Sequence, residues 1–252
     1  MVEPSKEFRN TGGGMWKDTG TDNPANQAAP AMLEAFASAG ASHFDITWTT
    51  KQGDKAGFRR HIPVETLRRL LPVMLLSAAR TERNLIVRPV SDRAVFIQLD
   101  DLDRERAERL KPAAFLGLET SPGNYQAWVS IPAGQADKDF ARRLLKGAGA
   151  DDTASGATRV AGSRNFKDKY APDFPTVQIA YSNPGLMTSP GQLESLGLVA
   201  APEKPAPPIL RLSGMERIRT NKWPSYQRCL QDAPETETKP ARTFPGRISP
   251  GA

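Results

Sequence analysis

One cysteine, Cys229, and two histidines, His43 and His61, stand among 252 residues. A lone cysteine cannot form a disulfide within the chain, which fits a reducing compartment. A zinc site built on thiolates needs more Cys and His than are present. Neither histidine lies in a Ser-His-Asp or Cys-His context, and His61 after Arg59-Arg60 offers at most a phosphate contact. Long apolar runs are also missing. The longest, Leu70 to Ala79, contains Pro72 and Ser77 and falls well short of the roughly 20 residues that span a bilayer. The first 30 residues lack an apolar segment behind basic ones, so no export signal is read there. The expectation is a soluble, cytoplasmic protein with no membrane partner. Carboxylates, by contrast, are plentiful at 28, and a hard-cation site stays open.

The net charge is +6, but it is unevenly placed. Residues 198–252 hold nine Lys/Arg against five Asp/Glu, a net of +4, so the tail carries most of it. That tail begins with the Pro-rich stretch 200–208, which composition assigns to an extended linker. Residues 1–27, with Gly12-Gly13-Gly14 and Asp22-Asn23-Pro24, show no periodicity and read as a loose arm. The organisation expected is an arm over 1–27, one catalytic domain over 28–198, and a basic tail over 199–252.

Within 28–198 the pattern is α/β (α+β). A first helix is read over 29–39. Phe44, Ile46 and Trp48 alternate with polar residues as in a half-buried strand. Val64, Leu67, Leu71, Met74, Leu75 and Ala78 recur at helical spacing, with Pro72 expected to kink that helix. Strands are predicted over 84–90 and 94–100, a charged helix over 103–111, and a hairpin from 114–119 and 124–131 around Ser121-Pro122-Gly123. A helix over 135–146, a strand over 176–181 and a helix over 189–196 follow. Paired strands with intervening helices predict a mixed sheet with flanking helices.

Three segments carry chemical signals. The run Val95 to Leu102 ends a buried strand with Asp100 and Asp101, a pair suited to a divalent cation. Successive strand residues face opposite ways, however, so the two converge only where the strand ends or bulges. The alternative is that Asp101 or Asp103 caps the next helix. In the second segment, Thr120 to Trp128, Asn124, Gln126 and Trp128 share a strand face, able to meet a nucleotide or to form an ordinary half-exposed hairpin. The third, Gly149 to Lys167, is rich in Gly, hydroxyl and basic residues and suits phosphate or solvent. Residues 142–169 hold seven basic and three acidic side chains, and a loop of that length in a compact domain is usually functional.

Five motifs in order resemble RepB-type plasmid DNA primases of the archaeo-eukaryotic primase superfamily: Phe44-Asp45-Ile46-Thr47-Trp48, Asn84-Leu85-Ile86-Val87-Arg88-Pro89, Ile97-Gln98-Leu99-Asp100-Asp101-Leu102, Glu119 to Trp128, and Thr158 to Lys167. The likeness covers about residues 40–200. It implies a catalytic core with an RRM-like sheet, two divalent ions (Mg²⁺ or Mn²⁺) and primer synthesis from nucleoside triphosphates on single-stranded plasmid DNA. Asp100 and Asp101 match the family's acidic pair, and Asp151 is the best match for a third metal carboxylate, with Asp152 close behind. Arg88, Ser121, Asn124, Gln126, Arg159, Asn165 and Lys167 are assigned to nucleotide phosphates or template.

Two departures stand out. The superfamily usually has a His where this chain has Gln126, which shifts the phosphate charge onto Arg159 and Lys167. Relatives also commonly continue into a C-terminal helical bundle, where this chain turns Pro-rich. Weak unaided priming is therefore expected, with a plasmid helicase, relaxase or replication protein as helper. The rival reading is a non-catalytic single-stranded DNA-binding module of a replication or mobilisation complex.

Overall fold

Strand β6, Asn124–Pro132, carries Trp128 on one face and Ala127, Val129 and Ile131 on the other, and each face meets a different hydrophobic core. That two-sided burial organises the computed structural model, which describes residues 24–202. The expected arm and basic tail fall mainly on 1–23 and 203–252, outside the described residues.

The chain runs α1 (Pro24–Ser38), β1 (His43–Thr49), β2 (Lys55–Pro63), α2 (Val64–Arg80), β3 (Asn84–Val90), β4 (Ala94–Leu102), α3 (Arg104–Leu110), β5 (Leu116–Ser121), β6, α4 (Lys138–Ala148), β7 (Thr158–Arg159), β8 (Gln178–Ser182) and α5 (Pro190–Ser195). The α+β class is as expected. In detail the strands form two four-stranded sheets, ordered β2-β1-β3-β7 and β4-β6-β5-β8. Among the described residues every strand pairing is antiparallel, where one mixed sheet was expected. The short connections β1–β2 and β5–β6 allow only hairpins, since a parallel return needs a crossover of a dozen residues or more.

The first core lies between the first sheet, α1, α2 and the Trp128 face of the second sheet. Phe36 of α1 is its keystone. Its ring meets Phe44 of β1 edge-on at 5.8 Å and Trp128 of β6 at 5.0 Å, so one side chain contacts both sheets. A fully buried side chain of that size contributes about 1.5–3 kcal/mol. The second core sits on the opposite face of the second sheet, where Ile97 and Leu99 of β4 pack with Leu110 of α3 and Phe140 and Leu144 of α4.

Two differences from the sequence reading have physical causes. Strand β2 escapes the periodicity test because it is an edge strand with only Ile62 buried. Helix α2 continues through Pro72 to Arg80. Pro72 sits on the exposed side, away from the stripe that meets the core. Among the described residues no helix is long and apolar enough to cross a membrane.

Candidate functional site

The polar end of the β4–β6 face answers the objection that Asp100 and Asp101 must point opposite ways. Leu99 pairs with Ala127 but Leu102 pairs with Tyr125, so β4 has one residue more than β6 across this interval. The extra residue forms a bulge, and Asp101 adopts a left-handed φ of 58°. Asn124 and Gln126, two residues apart on β6, share a face. Gln126 Nε2 donates to Asp100 Oδ1 at 2.9 Å, and Asn124 Nδ2 donates to Asp101 Oδ1 at 2.8 Å. Both carboxylates therefore reach one face. Capping of α3 falls to Asp103, whose Oδ1 accepts from the Arg106 amide at 2.8 Å.

Asp151 is adjacent but differently used. Its backbone amide donates to the Asp100 carbonyl at 3.0 Å. Its carboxylate turns to Thr153, accepting from the backbone amide at 2.8 Å and from the hydroxyl at 2.8 and 2.9 Å. These bonds hold the Asp151 carboxyl below its ordinary pKa, the backbone bond contributing most. Among the described residues no group of three His, Cys, Asp or Glu side chains stands close enough to hold a metal ion. The expected trio is thus gathered only as a pair, because a local turn engages the third member. The pair itself fits a divalent cation. Both amide bonds use Oδ1, which leaves a second hard oxygen on each carboxylate. Mg²⁺ is commonly held by one or two carboxylates plus substrate phosphates.

The expected phosphate ligands divide into two groups. Arg159 is within electrostatic reach of Asp100: burial pulls its guanidinium below the usual arginine value, while Tyr170 and Asp100 push it back up. It remains charged at neutral pH. Lys167 and Arg88 are exposed, and Arg88 Nη2 donates to the Ser155 carbonyl at 2.9 Å. The others are tied into the fold. Asn165 is buried, with Nδ2 donating to the Thr120 carbonyl at 2.9 Å. Ser121 Oγ accepts from the Tyr170 hydroxyl at 2.8 Å. Burial alone pushes Tyr170 up, but its bonds with Ser121 and Lys169 and the charges of Lys169 and Lys167 together carry its phenol below the ordinary value.

Sequence reasoning missed Asn84. It is buried, its Oδ1 accepts from Arg159 Nε at 3.0 Å and from the Phe166 amide at 2.8 Å, and its Nδ2 donates to the Thr50 carbonyl at 3.2 Å. It aims the arginine. The available signal was an amide heading the apolar strand Leu85-Ile86-Val87. Thr158, Gln98 and Tyr170 were missed as well. Gln98 exchanges two bonds with Ala157, at 2.9 and 3.1 Å, and so fastens the third segment to β4.

The outer face of the first sheet leads into this site. Phe58 lies opposite Thr47, Thr47 opposite Ile86, and Ile86 opposite Arg159. Directly opposed residues share a face, so the four form a row from edge to edge. Phe58 is 46% exposed, and Lys55 Nζ lies 3.9 Å from its ring centre. His61, on the same edge strand, stacks on His43 at 5.2 Å.

Residues 47–176 match the model of the RepB DNA-primase N-terminal domain family. A DNA primase of Acidithiobacillus ferrooxidans is 35% identical over 55% of this chain and 46% of its own length. Mobilization protein A of Escherichia coli is 41% identical over 28% of this chain and 10% of its own length. The chain thus spans less than half of either relative. The crystal structure of the catalytic domain of primase RepB′ in complex with initiator DNA superposes with a TM-score of 0.56 and 25% identity, covering 69% of this chain and 94% of that one.

Proposed function

The chain belongs to the RepB DNA-primase N-terminal domain family, and on that premise we propose that it synthesises short primers on single-stranded plasmid DNA by metal-dependent nucleotidyl transfer. The observation that carries this reading is the β4 bulge, which turns Asp100 and Asp101 to one face, with Asp100 in electrostatic reach of the Arg159 guanidinium. The relative solved with initiator DNA supports a nucleic-acid substrate.

In this reading Asp100 and Asp101 would hold Mg²⁺ or Mn²⁺. When bound there, the ions would offer positive charge to the triphosphate and lower the pKa of an attacking hydroxyl. Arg159, held by Asn84, receives the charge developing on the phosphates. Lys167, on the exposed side of the third segment, adds a mobile cation. Asp151 would join as a further ligand only if its carboxylate moved closer to the pair. The template lies along the row from Phe58 to Arg159, with a base on Phe58.

The test is nucleotide incorporation on a single-stranded template with and without Mg²⁺ or Mn²⁺, comparing the native chain with Asp100→Ala and Asp101→Ala. Loss in both variants is expected. Incorporation that survives both rejects the pair as the metal site. Salt-sensitive DNA binding without any metal-dependent incorporation supports the non-catalytic module instead.

A further inference from the structure

Each carboxylate of the pair is held by an amide, and each amide is itself held by a threonine. Thr158 Oγ1 donates to Gln126 Oε1 at 2.6 Å, and Gln126 Nε2 donates to Asp100 Oδ1 at 2.9 Å. Thr120 Oγ1 donates to Asn124 Oδ1 at 3.2 Å, and Asn124 Nδ2 donates to Asp101 Oδ1 at 2.8 Å. Thr158, Thr120 and Gln126 are all buried. An amide offers an oxygen at one end and an NH₂ at the other. A hydroxyl that donates to the oxygen end leaves the NH₂ end for the carboxylate. The reverse orientation would set an amide oxygen against an anion.

We infer that Thr158 and Thr120 are positioning residues that act through Gln126 and Asn124 to orient the Asp100–Asp101 pair for a divalent cation. This inference rests on the metal-binding reading above. Three features favour it over ordinary satisfaction of buried groups. Both chains end on the two residues that the bulge brings to one face. The amides fix the carboxylates as neutral donors, without the direct ion pair that a hydrogen-bonded Lys or Arg would make. Thr158 belongs to β7 of the first sheet whereas Gln126 belongs to the second, so the first chain also sets the position of Asp100 against Arg159, the neighbour of Thr158.

The experiment measures Mn²⁺ affinity of the full chain by electron paramagnetic resonance, without nucleotide or DNA, alongside incorporation kinetics. Thr158→Val keeps shape and removes the donor, whereas Thr158→Ser keeps the donor. Thr158→Val is expected to weaken Mn²⁺ binding about 10-fold, within the range seen when an outer hydrogen-bond partner of a metal ligand is lost. Thr158→Ser should stay within about twofold of native, on the same principle. In a Gln126→Met background, adding Thr158→Val should cause no further loss, because the two act in series. Native Mn²⁺ affinity in a folded Thr158→Val variant overturns the inference, as does a Thr158→Ser variant as weak as Thr158→Val. Asp100→Ala separates the two levels. If it keeps native Mn²⁺ affinity, the metal-binding reading fails; if it loses the ion while Thr158→Val keeps it, only the relay fails.

Discussion

Asp151 and Asp100 are joined through their backbones, amide to carbonyl at 3.0 Å, while the Asp151 carboxylate is turned to Thr153. Proximity and participation are thus separated. Asp100→Ala should lower metal-dependent incorporation by at least about 100-fold, since a bound cation supplies several kcal/mol of charge stabilisation. Asp151→Ala keeps the backbone bond and should cost less than about 10-fold on the same scale. Steady-state incorporation with Mn²⁺ checks both. Equal losses would mean that the Asp151 carboxylate also joins the cation.

The same turn predicts an acid response. Thr153 depresses the Asp151 pKa, so this carboxylate's stabilising contribution is present above the unfolded-state value of about 4 and is lost as pH falls through the folded value. Asp139 follows the same sign, depressed by its hydrogen bond and charge contact with Arg142. Thr153→Val should raise the Asp151 titration midpoint, read by carboxyl-carbon NMR. The alkaline side depends on Tyr181, whose phenol burial drives upward and whose hydroxyl donates to the Ala107 carbonyl at 3.2 Å. A raised tyrosine pKa stabilises the fold below about pH 10 and loses that contribution above it. Tyr181→Phe should flatten the alkaline decline in denaturant midpoint.

What could be read from the sequence follows from how many faces each segment buries. β1 alternates because one face meets the first core, and α2 repeats Val64, Leu67, Leu71, Met74 and Ala78 because one stripe does. β2 buries only Ile62, and an edge strand of that kind has no period to read. The site was legible in part: Asp100 and Asp101 stood out as a strand-end pair, and the family resemblance singled out Arg159. Its geometry was not. The bulge that reconciles Asp100 with Asp101 depends on the register between β4 and β6, which hydrophobic alternation leaves undetermined once polar residues take over. Asn84 is a plain polar residue until Thr50, Arg159 and Phe166, distant in sequence, are brought around it.

Asn84 also makes a prediction. Removing its side chain leaves the Phe166 amide and the Arg159 guanidinium without their acceptor in a buried setting, at about 1–3 kcal/mol per unsatisfied group. Asn84→Ala should lower the denaturant midpoint and raise KM for nucleotide together. Arg159→Lys should raise KM with little loss of stability, because the ammonium keeps the charge but loses the planar fork. Thermal denaturation and a KM titration on each variant separate aiming from folding.

Phe58 and Arg159 stand at opposite ends of one row, and they should contribute to single-stranded DNA binding in different ways. A base stacked on an aromatic ring contributes about 1–3 kcal/mol, so Phe58→Ala should weaken binding by about 5- to 140-fold. Stacking releases no counterions, and the dependence of affinity on salt should keep its slope. Arg159→Gln removes a charge, and there the slope itself should fall by about 0.7 if the guanidinium meets a phosphate of the template. Fluorescence anisotropy with a labelled oligonucleotide across a salt series distinguishes the two. Phe58 is 46% exposed and makes no contribution to either core, so the variant's fold should be unchanged by circular dichroism. An unaltered affinity in Phe58→Ala would move the template off the outer face of the first sheet and onto the exposed basic side chains Arg88 and Lys167.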